Sequence, residues 1–395
     1  MQYRKFGKLD FEVSALGFGA MRLPTLNDNW ASIDEAEATR MLYHAIDQGV
    51  NYVDTAHPYH DGNSESFLGR ALKNGYRQKV KLATKMPSWK IESPQDFDKY
   101  LNEQLTKLQT DHVDFYLLHS LNGATWHKLR DFGVLDWAER AIAAGRIGHL
   151  GFSFHDGYEA FKEIVDAYDR WGMCQIQYNY MDIENQAGFK GLQYAAAKRL
   201  PVVIMEPLLG GKLINPPQPV QEIWDTAANK RSAADWALQW LWHQPEVSLV
   251  LSGMSTMQQV EQNLASADKS GMNSLTEPEL ALFEQVRQTY RQLTAIPCTG
   301  CNYCMPCPND VNIPWNFEIY NSGLMYDKPD SARGQYAWIA ESYRLGISDA
   351  NQQAVSCIQC GDCESKCPQS IPISEWMTVI QEVLGENQPY VTKLV

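Results

Sequence analysis

The first 297 residues of this 395-residue chain hold a single cysteine, Cys174, and the other eight all follow. A disulfide framework would not be distributed that way, and the polar start Met1-Gln2-Tyr3-Arg4-Lys5 leads into no signal-type apolar segment. Long hydrophobic runs are also missing, since none approaches the ~18 residues a membrane span needs. These absences predict a cytoplasmic protein with no membrane partner. Positive charge is scarce: 34 Lys and Arg face 47 Asp and Glu, for a net charge of −13. The acidity is spread over both halves, because residues 296–395 hold five basic and eleven acidic side chains. Such a surface repels phosphate backbones and argues against nucleic acid as a partner. It suits a basic redox partner, but an acidic surface is also the commonest way to stay soluble.

What is present is an ordinary globular composition, 44% hydrophobic and 21% charged. Short, nearly continuous apolar runs lie at 15–21, 50–56, 80–86, 113–120, 147–154, 173–180, 201–207 and 247–254. Strands buried on both faces read that way. A helical pattern follows each run. After the first, Ser32 and Glu35 form a candidate capping box, and Ala38, Met41, Leu42, Ala45 and Ile46 make one stripe. After the third, Ser93 reads as an N-cap and Pro94 as the first helical residue. Eight strand-then-helix units in about 255 residues predict an α/β fold, a closed (β/α)8 TIM barrel. The alternative is an open doubly wound sheet. It would want a G-x-G-x-x-G after the first strand, where this chain has Gly17-Phe18-Gly19-Ala20. Residues 3–13 read as a hairpin closing the barrel floor. The expected division is a barrel over 1–275, a connecting helix over 276–296, and a mainly α-helical, cysteine-rich domain over 297–395.

Function in such a barrel sits at the C-terminal strand ends. Strand 2 ends at Asp54, with Tyr59 five residues on; strand 3 ends through Lys85, and strand 4 through His119. This set suits reduction of a carbonyl. Hydride arriving at the carbon leaves negative charge on the oxygen, which must be stabilised and protonated. A tyrosine can donate, but its unperturbed pKa is ~10. A neighbouring lysine cation favours tyrosinate. The expected roles are Tyr59 as general acid, Lys85 as its modulator, Asp54 as the partner of Lys85, and His119 as a second donor. His60, Trp89, Trp126 and His155 are expected around the mouth.

The segment Asn51-Tyr52-Val53-Asp54-Thr55-Ala56 through Tyr59, then Glu65-Ser66-Phe67-Leu68-Gly69-Arg70-Ala71-Leu72, resembles the aldo/keto reductase signature. The opening Leu16-Gly17-Phe18-Gly19-Ala20-Met21-Arg22 is similar to that family too, and the likeness extends over roughly 1–270. It implies nicotinamide-dependent interconversion of carbonyl and alcohol, with NADP(H) or NAD(H) as cofactor and a small carbonyl compound as substrate. The implied cofactor contacts are Ser153, Gln175, Met205, Pro207, Leu208, Gly210, Lys212, Gly253, Ser255, Gln259 and Asn263. The chain departs from the family at several of them. Phe154 replaces an amide-binding Asn, Met205 replaces a stacking Tyr, and the basic residues for the 2′-phosphate align with neutral Gly253 and Gln259. NADH is therefore as open as NADPH, with Lys212 as the candidate replacement cation. The loops carrying Gly210-Gly211-Lys212 and Gly253-Met254-Ser255-Thr256 are where barrels commonly bind phosphate.

The cysteines form two runs, Cys298-x2-Cys301-x2-Cys304-x2-Cys307-Pro308 and Cys357-x2-Cys360-x2-Cys363-x3-Cys367-Pro368. The second has the bacterial ferredoxin spacing, in which the fourth Cys ligates the other cluster. Two such runs predict two [4Fe–4S] clusters with exchanged fourth ligands. Cys298, Cys301, Cys304 and Cys367 would hold one; Cys357, Cys360, Cys363 and Cys307 would hold the other. The first run is one residue short before its last Cys, so a single cluster is the variant reading, and structural zinc is the alternative metal. Residues 316–325 and 332–343, between the runs, read as helices, as in an α-helical ferredoxin. The whole resembles a branch of aldo/keto reductases carrying a C-terminal iron–sulfur domain. Cys174 reads as a core residue.

Three functions fit. The barrel is a carbonyl reductase with structural or redox-sensing clusters; or the clusters exchange electrons with a ferredoxin or flavin partner; or the barrel is a cofactor-binding regulatory module without turnover.

Overall fold

A computed structural model describes every residue except Asp28, Gly346, Ile347 and Val395. The chain opens with a hairpin, β1 (Tyr3–Lys5) and β2 (Glu12–Ser14), paired antiparallel. Eight parallel strands follow: β3 (Leu16–Gly19), β4 (Tyr52–Asp54), β5 (Lys81–Met86), β6 (Val113–Leu121), β7 (Ile147–Phe154), β8 (Met173–Gln177), β9 (Val202–Met205) and β10 (Val247–Gly253). They close into a barrel in sequence order, with β10 pairing back onto β3. The expected TIM barrel is therefore the observed fold. The doubly wound alternative fails because the eighth strand finds its partner in the first.

The strands are short, and their interior is filled. Phe6 from the hairpin loop sits under Tyr52, Ala83, Phe115, Met173 and Leu249, and plugs the floor as an apolar cluster. The phenylalanine rings of Phe6 and Phe115 meet edge to face at 5.5 Å, a favoured aromatic geometry.

Helices fill the crossovers. α1 (Glu35–Asp47) buries the stripe read from the sequence, Ala38, Met41, Leu42, Ala45 and Ile46. Its cap differs from expectation: Asp34 accepts from the Glu37 N–H at 3.2 Å, in place of Ser32. α2 (Asn63–Ala71) and α3 (Gln95–Leu108) come next. Ser93 is not the side-chain cap expected for α3. Instead Asp96 reaches back and accepts from the Ser93 N–H at 2.9 Å. Then follow α4 (Gly123–Asp131), α5 (Val134–Ala143), α6 (Tyr158–Asp166), α7 (Gly188–Ala197), α8 (Gln218–Asp225), α9 (Ala233–His243) and α10 (Met257–Asp268). Among the described residues, no helix is long and apolar enough to cross a membrane.

By packing, the chain falls into two compact units, Met1–Gly210 with Ala234–Thr276, and Gly211–Ala233 with Glu277–Val395. The second unit is helical: α8, α11 (Glu277–Gln292), α12 (Ile313–Met325), α13 (Pro329–Arg344) and α14 (Ile373–Ile380). Phe317, Tyr320, Tyr336, Ile339, Trp376 and Ile380 centre its core. α14 was not expected from the sequence, although Trp376, Met377 and Ile380 mark its buried face. Within this unit Trp224 of α8 meets Phe283 of α11 at 5.0 Å.

Candidate active site

The barrel rim gathers Asp54, Tyr59, Lys85 and His119. Asp54 closes β4 and Lys85 lies one residue from the end of β5, so neighbouring strands present both. Lys85 Nζ donates to Asp54 Oδ1 at 2.6 Å, to the Thr55 carbonyl at 2.8 Å and to the Tyr59 hydroxyl at 3.3 Å. Three acceptors satisfy three ammonium protons. Lys85 is 0% exposed and Asp54 3%, so an unpaired charge there would be costly.

Tyr59 is held from behind by the turn Tyr59–Gly62. His60 and Asp61 both sit at φ 53°, in the left-handed region. His60 Nε2 accepts from the Leu23 N–H at 3.2 Å. The other ring nitrogen therefore carries the proton and donates to the Trp30 carbonyl at 2.7 Å. Trp30 stacks on the same ring at 4.3 Å. His60 is 0% exposed, so it anchors the turn and does not line the mouth. Trp126 is likewise buried, packed against Trp171. Trp89 is half exposed with its ring 5.2 Å from His119, and His155 is exposed.

His119 reaches the rim through a bulge. Leu118 pairs with Phe152 but Leu121 with Phe154, so β6 carries one extra residue against β7. Bulges re-aim side chains beside active sites. Ser120 takes φ 52° there, and its N–H donates to Ser153 Oγ at 2.8 Å. The His119 ring stands 6.2 Å from the Tyr59 ring, edge to face.

The electrostatics follow from burial. Burial pushes the Tyr59 phenol up, and Lys85 opposes it without winning. The lysine field thus limits the rise and does not make the phenol acidic in the free protein. Burial pulls the Lys85 ammonium down, but Asp54 and Tyr59 outweigh it and hold it above the usual lysine value. Burial, then the Lys85 charge, drives the His119 imidazole well below 6.5, so the ring is neutral and holds one N–H. Its Nδ1 is buried without a partner among the described residues, as are Asp54 Oδ2 and Gln175 Oε1.

The eight C-terminal thiols belong to the second unit. Six of them, Cys298, Cys304, Cys307, Cys357, Cys363 and Cys367, pack on its core, while Cys301 and Cys360 are exposed. Both runs open with the same turn. Cys298 Sγ accepts from the Gly300 N–H and Cys357 Sγ from the Gln359 N–H, each at 3.4 Å, with both donors at positive φ. Burial pushes the Cys304 thiol up, and the charges of Cys298, Cys301 and Cys367 add to it. Those four are thus neighbours across the two runs. A cavity of about 310 Å³ is lined by Cys304, Cys307, Cys357, Cys360 and Cys363. Among the described residues no three His, Cys, Asp or Glu side chains close on a point as one metal ion requires. Thiolates around a four-iron cube stand further apart than the four bound 2.3 Å from one zinc. What fits the two sets to clusters is their number and spacing, four thiols in each run.

Residues 15–279 match the family model described as "Aldo/keto reductase family". The chain belongs to the aldo/keto reductase family. Residues 297–371 match the model of a 4Fe-4S dicluster domain. An uncharacterised oxidoreductase of Bacillus subtilis (strain 168) is 29% identical over 54% of this chain and 68% of its own length. L-galactose dehydrogenase of Arabidopsis thaliana is 26% identical over 74% of this chain and 97% of its own. Among solved structures, the holo form of an aldo-keto reductase from Bacillus halodurans aligns at 25% identity and TM-score 0.59, covering 72% of this chain and 96% of that one. An aldo-keto reductase from Klebsiella pneumoniae in complex with NADPH aligns at 25% identity and TM-score 0.58, covering 71% and 93%.

In this aldo/keto reductase the expected cofactor residues occupy three places. Ser153 and Gln175 sit side by side on β7 and β8, and Gln175 Nε2 lies 3.6 Å from Met205 Sδ. The orphaned Gln175 Oε1 fits an amide donor such as a nicotinamide carboxamide. Pro207 and Leu208 follow β9, and Gly210 lies in the next turn at φ 65°. Gly253, Ser255, Gln259 and Asn263 form the third place. The Ser255 N–H donates to Gln259 Oε1 at 2.7 Å, and Asn263 Nδ2 to Ser252 Oγ at 3.0 Å. Lys212 belongs to the second unit, where its ammonium donates to Ser322 Oγ at 2.8 Å.

The sequence reading missed the support beneath Lys85. Glu65, buried on α2, accepts from Thr84 Oγ1 at 2.6 Å and from Gln104 Nε2. Gln104 also donates to the Lys85 carbonyl at 3.0 Å and accepts from the Tyr116 hydroxyl at 2.7 Å. The signal was a Gln on the apolar stripe of α3.

Proposed function

We propose that this chain interconverts a small-molecule carbonyl and its alcohol with a nicotinamide dinucleotide, using Tyr59, Lys85, Asp54 and His119. The observation that carries the proposal is the Lys85 ammonium bonded at once to Asp54, the Thr55 carbonyl and the Tyr59 hydroxyl. Bound dinucleotide supplies or accepts hydride. The NADPH complex of the Klebsiella pneumoniae relative supports that cofactor class. Tyr59 donates its proton to the carbonyl oxygen as negative charge develops there. Lys85 stabilises the phenolate left behind, and Asp54 keeps Lys85 in place. The neutral His119 ring gives a second hydrogen bond to the same oxygen. Ser153 holds the bulge that aims His119, and the free Gln175 oxygen suits the carboxamide.

We place two [4Fe–4S] clusters in the second unit, one on Cys298, Cys301, Cys304 and Cys367, the other on Cys357, Cys360, Cys363 and Cys307. The support is the neighbourhood of Cys304 with Cys367 and the cavity shared by Cys307 with the second run. They give the unit stability or redox sensing. Exchange of electrons with a ferredoxin or flavin partner is a second reading, favoured by the exposure of Cys301 and Cys360.

Tyr59→Phe tests the first proposal. General acid catalysis is worth about 10²–10⁴-fold, so kcat with an aldehyde and NAD(P)H falls by that range. The thermal midpoint and dinucleotide binding stay near wild type. Full activity in the variant sinks the assignment.

A further inference from the structure

Arg22 lies just beyond β3, in the loop at the barrel rim, and its side chain is exposed. Its guanidinium makes no hydrogen bond or ion pair among the described residues. Such a solvated arginine is ordinary when its surroundings are ordinary. Here they are not. A Cβ built on Gly253 would meet the Cβ, Cγ and Cδ of Arg22 at 3.2, 3.3 and 3.5 Å. A Cβ on Gly210 would have Arg22 Nη2 as its neighbour at 3.6 Å. The arginine stem therefore lies along one glycine and its head arrives over another.

The topology explains why these three meet. β9, β10 and β3 are consecutive strands of the closed barrel. Gly210 follows β9, Gly253 ends β10, and Arg22 follows β3. The loops after the last two strands are the common phosphate site of such barrels. The Arg22 loop is tied to that place, because Ser255 Oγ donates to the Arg22 carbonyl at 2.8 Å. α10 begins there too, capped by Thr256, which accepts from the Gln259 N–H at 3.3 Å. A helix N-terminus adds positive potential. A guanidinium presents a rigid fork that matches a phosphate bidentately.

We propose that Arg22 grips a phosphate group of the nicotinamide dinucleotide, and that Gly253 is glycine because the Arg22 stem occupies the space a side chain would take. The inference rests on the cofactor reading above. It also explains how a neutral residue can stand at Gly253: the cation comes from the loop after the first barrel strand.

The test is dinucleotide binding by the full-length holoprotein, followed by tryptophan fluorescence and calorimetry, with NADPH, NADH and 2′,5′-ADP as probes. A charge-assisted bidentate contact predicts that Arg22→Ala weakens binding by about 10- to 100-fold. Arg22→Lys recovers part of the loss, since it keeps the charge without the fork. Loss on NADPH and 2′,5′-ADP alone assigns the 2′-phosphate. Equal loss on NADPH and NADH assigns the bridging diphosphate. Either result supports the proposal. Wild-type binding that Arg22→Ala leaves unchanged overturns it and leaves the cofactor reading standing. Wild-type protein that binds no probe overturns both.

Discussion

Each rim residue is defined by what burial does to its proton. The Tyr59 phenol sits above its ordinary value of 10 because burial outweighs Lys85. The proposed carbonyl reduction needs that proton, so kcat/KM should stay level through alkaline pH and fall only above about pH 10, as the phenol ionises. A decline centred near neutrality would contradict the role. His119 is depressed below 6.5 by burial and then by Lys85. Above the unfolded value near 6.5 both states are neutral and stability is complete. As pH falls from there toward the folded value, the unfolded chain binds a proton that the native chain does not, and stability drops. Urea midpoints measured downward from pH 7 should show that loss, with a smaller slope in His119→Gln.

At the scale of elements, the site depends on how closely helices α2 and α3 pack behind β4 and β5. Gly69 lets them meet: a Cβ there would stand 2.3 Å from the Lys107 carbonyl oxygen and 2.7 Å from the Leu108 carbonyl carbon. Those are backbone atoms and cannot swing aside. Gly69→Ala is expected to cost about 1–3 kcal/mol, the range for overpacking, read from urea unfolding. It also lowers kcat, because Glu65 on α2 and Gln104 on α3 share the bonds beneath Lys85. Gly157→Ala is the control, with nothing within 4 Å of its built Cβ, and should match wild type.

At the scale of the whole molecule, the proposed exchange of fourth ligands joins two cysteine runs far apart in sequence. If the fourth ligands are exchanged, Cys367→Ser damages the first run's cluster and Cys307→Ser the second's. Each variant, purified anaerobically, should lose about half its iron and sulfide and keep a different electron paramagnetic resonance signal. Loss of the second run's signal in Cys367→Ser would rule out the exchange. Six of the thiols pack against the helical core, so chelation should lower the melting of that unit, with barrel unfolding scored separately by Tyr52 and Phe115 burial.

The barrel was legible in the chain because parallel strands buried on both faces must be apolar runs, and the run at 147–154 coincides with β7 (Ile147–Phe154). Asp54, Tyr59, Lys85 and His119 could be singled out because strand ends are where such a fold puts polar groups. The cysteine runs were legible because cluster ligation demands fixed spacing. Other features depended on contacts between residues far apart in sequence. Burial against Trp30 decided that His60 is an anchor, and pairing with β7 decided that β6 bulges at His119. The closing of β10 onto β3 decided that Arg22 lies along Gly253. Local pattern reports periodicity and spacing, which the backbone imposes on every chain. Which side chain fills the space over a distant glycine follows only once the strands have closed.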